Sequence, residues 1–170
     1  MARGRFAPQA LHEYTRSVDA AIEQIGSTGF WEWDDIHYHS DVEGGREFLY
    51  TQGTVLCAGG IRVQVFEKLQ FHRQTRWTPR GAKRLLVLIE YSHSAVLHNR
   101  GTIFRYDSPD PEPTGETPEH HKYHHVHRFD VLGTGAQIMP PTPLAEWEVP
   151  TLRQVLQEAE RWHYEHLDRS

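Results

Sequence analysis

The run from residue 61 to residue 71 constrains this chain more than any other stretch, because apolar and polar side chains alternate along it. Ile61, Val63, Val65, Leu69 and Phe71 fall on one side, and Arg62, Gln64, Lys68 and Gln70 on the other. A period of two marks an extended strand with one buried face. Gly59-Gly60 supplies a turn back to residues 54–58, so the two arms read as a hairpin. Residues 85–97 follow as a long strand, nearly all apolar at first and therefore expected at the centre of a sheet. Asn99-Arg100-Gly101 turns the chain into a further strand at 102–107, and connections this short join antiparallel neighbours. Residues 120–132 have β-like composition and complete a sheet region spanning 54–132.

Helical periodicity appears only near the two ends. Leu11, Tyr14, Val18, Ala21, Ile22 and Ile25 recur at helical spacing within residues 7–26, with Pro8 suited to the first turn. Residues 30–50 are aromatic-rich and then turn at Gly44-Gly45; the first half reads as a weak strand or as irregular cover. A proline-rich linker occupies 133–150. The C-terminal helix over 151–168 buries Leu152, Val155, Leu156, Ala159, Trp162 and Leu167, and Thr151 with Gln154 forms a capping box. The expected class is α+β: a small curved antiparallel β-sheet flanked by an N-terminal and a C-terminal α-helix, in a single domain of 170 residues.

Several functions are disfavoured by composition. No run approaches the roughly 18 apolar residues that a membrane span needs. Cys57 is the sole cysteine, so no disulfide framework can form and a reducing compartment fits. A formal charge of −5 argues against bulk electrostatic coating of nucleic acid. The charge is uneven, however. Arg73, Arg76, Arg80, Lys83 and Arg84 lie in a stretch without acidic residues, with Trp77 among them for stacking. Such a loop suits an RNA backbone, and equally suits a solvated hairpin.

Chemistry concentrates in Glu119-His120-His121-Lys122-Tyr123-His124-His125-Val126-His127. Strand geometry would send His121, Tyr123, His125 and His127 to one side and His120, Lys122 and His124 to the other. Imidazoles titrate near neutral pH, so adjacent ones serve as acid and base, and the same nitrogens ligate metals. The catalytic use is preferred to the metal use, for which His121, His125 and His127 are the candidates and a divalent transition metal the ion. Glu67, a carboxylate on an apolar strand face, needs a partner; it reads as a base, an orienting group, or one half of an ion pair with Arg105. Tyr91 and His93 share one face of the long strand, and Arg105 with Asp107 closes the next, an arrangement able to orient a phosphate. His37-Tyr38-His39 reads as surface cover.

Ile61 to Glu67, Ile89-Glu90-Tyr91-Ser92, Arg105-Tyr106-Asp107, a proline-bearing loop, His124-His125-Val126-His127 and Pro150-Thr151-Leu152 occur in this order. Together they resemble the TumE-like family of toxin components from bacterial and archaeal toxin–antitoxin operons, over about two-thirds of the chain. Ser108 stands where the family pattern has asparagine, and the histidine element is expanded. The resemblance implies a cytoplasmic protein neutralised by a cognate antitoxin, usually a helix-turn-helix protein from the adjacent gene. Metal-independent RNA cleavage is the expected activity, with His124, His125 and His127 as acid and base and Tyr91, Arg105, Asp107 and Glu67 around them. A metal-dependent hydrolase or metal-binding protein is the alternative, and a non-catalytic interaction protein a third. The first fifty residues offer room for a homo-oligomer contact or for the antitoxin.

Overall fold

The alternating run becomes the spine of a nine-stranded antiparallel sheet, seen in a computed structural model that describes residues 8–73, 84–112 and 114–168. Strands are numbered in chain order: β1 (Gln9–Ala10), β2 (Trp31–Asp34), β3 (His37–Glu43), β4 (Arg46–Cys57), β5 (Ile61–Arg73), β6 (Arg84–Leu97), β7 (Gly101–Asp107), β8 (His125–Arg128) and β9 (Thr142–Pro143). The main path runs β2-β4-β5-β6-β7-β8-β9, with β3 also on β4 and β1 also on β6. Helices α1 (Leu11–Gly26) and α2 (Leu152–His166) flank the sheet, so the class is α+β, as expected.

The glycine turn between β4 and β5 forms as expected, with Gly59 and Gly60 both at positive φ, where a Cβ is disfavoured. Register then sorts the residues into two faces. Leu49, Thr51, Val55 and Cys57 of β4 lie opposite Leu69, Glu67, Val63 and Ile61 of β5, and all are buried. Tyr14, Val18, Ala21 and Ile25 of α1 and Leu152, Val155, Leu156 and Ala159 of α2 cover this face. Arg62 and Gln64 on the other face are exposed. A bulge in β6 where Lys68 passes to Leu69 on β5 shifts the phase, so that Leu88 and Tyr91 both face the core.

Two boundaries differ from the sequence reading. The aromatic segment, whose first half reads as a weak strand or irregular cover, forms β2, β3 and the first half of β4, since pairing with β4 overrides its irregular pattern. Pro8 precedes β1 instead of opening α1. The α2 capping box is present: the Thr151 hydroxyl accepts from the Gln154 amide, and the Gln154 side chain accepts from the Thr151 N–H at 2.8 Å.

Polar groups pin both helices to the sheet. The Tyr14 hydroxyl lies 2.8 Å from Glu67 Oε2 and 2.6 Å from Thr51 Oγ1, and His93 Nε2 lies 3.0 Å from Glu67 Oε1. Burial, then the Glu67 charge, pushes the Tyr14 phenol well above its ordinary range, so it remains a donor. Tyr106 donates to Glu158 of α2 at 2.6 Å, and Arg128 donates to the same carboxylate at 2.5 Å.

Tyr14→Phe removes a buried donor to Glu67 and is expected to cost about 1–3 kcal/mol in denaturant unfolding. Cys57 is fully buried and its thiol is pushed up to about 12 by that burial. A thiol reagent should therefore label the chain only after unfolding.

Candidate functional site

Val126 decides how the histidine element sits. Within 124–128 it is the one apolar residue, and it enters the core opposite Tyr106 of β7. Its neighbours must then face the other side of the sheet. His125 pairs with Asp107 and His127 with Arg105, so two imidazoles, a carboxylate and a guanidinium stand together on the face away from the helices. A 3-10 turn, Glu119–Lys122, folds over them, and the rings of His125 and His127 are only 2% and 6% exposed.

Asp107 is the hub. Arg105 Nε donates to its Oδ2 at 2.6 Å and Ser92 Oγ donates to its Oδ1 at 2.8 Å. His125 Nε2 and His127 Nε2 each lie 3.8 Å from the same Oδ2, beyond hydrogen-bond range. The opposite ring nitrogens are fixed. His125 Nδ1 lies 2.8 Å from the Tyr123 carbonyl oxygen, and His127 Nδ1 lies 3.0 Å from Gln137 Oε1. Gln137 in turn donates its amide to the Met139 carbonyl, which orients its oxygen toward His127. Both acceptors demand a proton on Nδ1, so each neutral ring presents an Nε2 lone pair toward Asp107. Burial holds the His125 imidazole below the ordinary histidine range, against the opposing pull of the Tyr123 carbonyl and Asp107. His120 is lowered too, by desolvation and then by His121 and His127. Its ring centroid is 5.3 Å from that of His125 and 5.6 Å from that of His127.

Beside this group lies an open cavity of about 250 Å³, bordered by Tyr91, Ser92, Arg105, Asp107, His121 and His125. The proline loop forms its far wall, anchored where the Asp110 N–H donates to the His121 carbonyl at 2.7 Å. Two sets among the described residues have the composition and closeness of metal ligands: Asp107, His125 and His127, and His120, His121 and His125.

The expected residues divide between two faces. Arg105, Asp107, His125 and His127 come together, with His121 at the cavity wall. Tyr91, although it borders the cavity, and His124 do not join the cluster. Tyr91 packs on the helix side, where its hydroxyl meets His124 Nδ1 at 3.3 Å with the two rings stacked. Strand alternation places His120 on the side opposite His125, but the 3-10 turn breaks that periodicity and brings its ring onto the cluster. Glu67 makes no pair with Arg105, which lies across the sheet on Asp107; it belongs to the buried Tyr14 and His93 network. Arg73 and Arg84 pair at the tip of the β5–β6 ladder, whereas Arg76, Trp77, Arg80 and Lys83 lie outside the described residues. Gln137 and Ser92 were not foreseen. Nothing in the sequence marks Gln137, which sits in the segment read as linker.

Comparison with family models, with curated proteins and with solved structures returns no match for this chain.

The fixed acceptors carry a direct test. Long-range ¹H–¹⁵N spectra of the metal-free protein should show the Nδ1–H tautomer for both His125 and His127. An Nε2–H signal for either ring contradicts the site as described.

Proposed function

We propose that this chain cleaves RNA and serves as the toxin of a toxin–antitoxin module. The observation that carries the reading is Arg105, held through Nε by Asp107 at the edge of the open cavity beside the imidazoles of His121 and His125. Its side chain is 43% exposed, and with Nε engaged the two terminal nitrogens remain as donors for a phosphate. In this reading a ribose 2′-oxygen attacks the adjacent phosphorus and the bond to the 5′-oxygen breaks. One imidazole of the cluster accepts the 2′-proton and another returns a proton to the leaving oxygen, while Arg105 offsets the charge on the phosphorane. The run of Arg73, Arg76, Arg80, Lys83 and Arg84, without acidic residues, supports a polyanion as substrate.

The toxin assignment rests on the order of sequence elements that resembles the TumE-like family. It brings with it a cytoplasmic setting and a neutralising antitoxin, of the helix-turn-helix kind encoded next door. Ile138 and Met139, exposed directly after Gln137, offer such a partner an apolar anchor beside the histidines.

Expression of the wild-type chain should arrest growth, and the purified protein should cut RNA. Arg105→Ala should lower the cleavage rate about 100-fold or more without loss of fold, since the residue is half-exposed. Intact RNA after prolonged incubation with the wild-type protein, together with normal growth, defeats the reading.

A further inference from the structure

We propose that Asp107, His125 and His127 hold one divalent transition-metal ion, with coordination positions left open toward the cavity. The tautomers point to it first. With both Nδ1–H groups committed to the Tyr123 carbonyl and Gln137, both Nε2 lone pairs aim at one carboxylate oxygen. At 3.8 Å a proton on either Nε2 falls short of a hydrogen bond to that oxygen, whereas a cation between them would be reached by all three atoms. Neither Nε2 atom has a hydrogen-bond partner, and both are buried. Leaving such atoms unsatisfied costs about 1–3 kcal/mol each.

Distance is the second argument. The three ligand atoms lie within 4.8 Å of one another, and each nitrogen is 3.8 Å from Asp107 Oδ2. An ion with bonds of about 2.0–2.2 Å in tetrahedral geometry holds neighbouring ligand atoms roughly 3.3–3.6 Å apart, so a small contraction closes the site.

The surroundings match those of metal-bound histidine. Each ligating ring gives its remaining N–H to a carbonyl-type oxygen, and Ser92 steadies the carboxylate through Oδ1. Arg105 shares Oδ2, which the two lone pairs of a carboxylate oxygen allow. Two imidazoles with one carboxylate suit zinc, iron(II), manganese or nickel and disfavour calcium or copper(I). The overlapping set of His120, His121 and His125 lacks Asp107, and among the described residues no hydrogen bond fixes the ring of His120 or His121. Those two rings are better placed as a fourth ligand or as proton carriers. Ion binding is independent of the proposed ribonuclease activity; only the use of the ion, to polarise a phosphate oxygen, rests on that reading.

The test is titration of the chelator-stripped full chain with Zn²⁺ by calorimetry, with Co²⁺ absorption as a second probe. One Zn²⁺ per chain with Kd below about 1 μM is expected. Asp107→Asn and His127→Gln should abolish that site. Gln137→Ala, at an exposed position, should keep the fold and weaken binding about 10–100-fold. The double variant His37→Ala/His39→Ala should bind as the wild type does. Absence of a tight site, or a tight site indifferent to Asp107→Asn and Gln137→Ala, overturns the proposal. Ion binding with RNA left intact supports this site and sinks the ribonuclease reading; RNA cleavage by a chain that takes up no ion does the reverse.

Discussion

The pairing of β8 with β7 is the contact on which the site depends. Four residues, His125 to Arg128, lie against Phe104 to Asp107, and the burial of Val126 beside Tyr106 selects one phase. A slip of one residue would drive His125 and His127 into the apolar core and expose the valine. The observed register keeps the valine in the core and gives each imidazole Nδ1 a partner, the Tyr123 carbonyl and Gln137. Arg105 and Asp107 then face the histidines because β7 alternates, with Phe104 and Tyr106 committed to the core.

The sheet carries polar chemistry on both faces, for different purposes. Under the helices, Glu67 at 4% exposure is matched by Tyr14, His93 and, through Tyr14, Thr51. A carboxylate in such a place is tolerated only when its oxygens are occupied, and the partners come from α1, β4 and β6. The network therefore ties the N-terminal helix to the centre of the sheet. Tyr106, Arg128 and Glu158 make the corresponding tie for α2. Across the sheet the histidine group is different in kind, for its nitrogens are directed at one point and that point adjoins open space.

Segments that look like connectors complete that group. The proline loop lines the cavity, and the stretch read as linker adds β9 to the sheet edge and delivers Gln137 to His127. Loops rich in proline are stiff, so they hold such positions with a smaller entropy loss on folding.

Much of the fold was legible in sequence because its causes are local. Alternation along β5, the Gly59-Gly60 turn and the Thr151 cap each depend on residues within a few positions of one another. The grouping of Arg105 and Asp107 with His125 and His127 followed from strand order. What alternation could not settle was which face each strand end presents. The β6–β7 register, which sets Ser92 and not Tyr91 opposite Asp107, leaves Tyr91 on the other face, and a 3-10 turn before β8 breaks the alternation and brings His120 onto the cluster. The partners of Glu67 and the tautomers of His125 and His127 depend on atoms distant in sequence or held by loops. Tertiary structure alone decided them, because a hydrogen bond is set by where two atoms finish and not by the spacing between their residues.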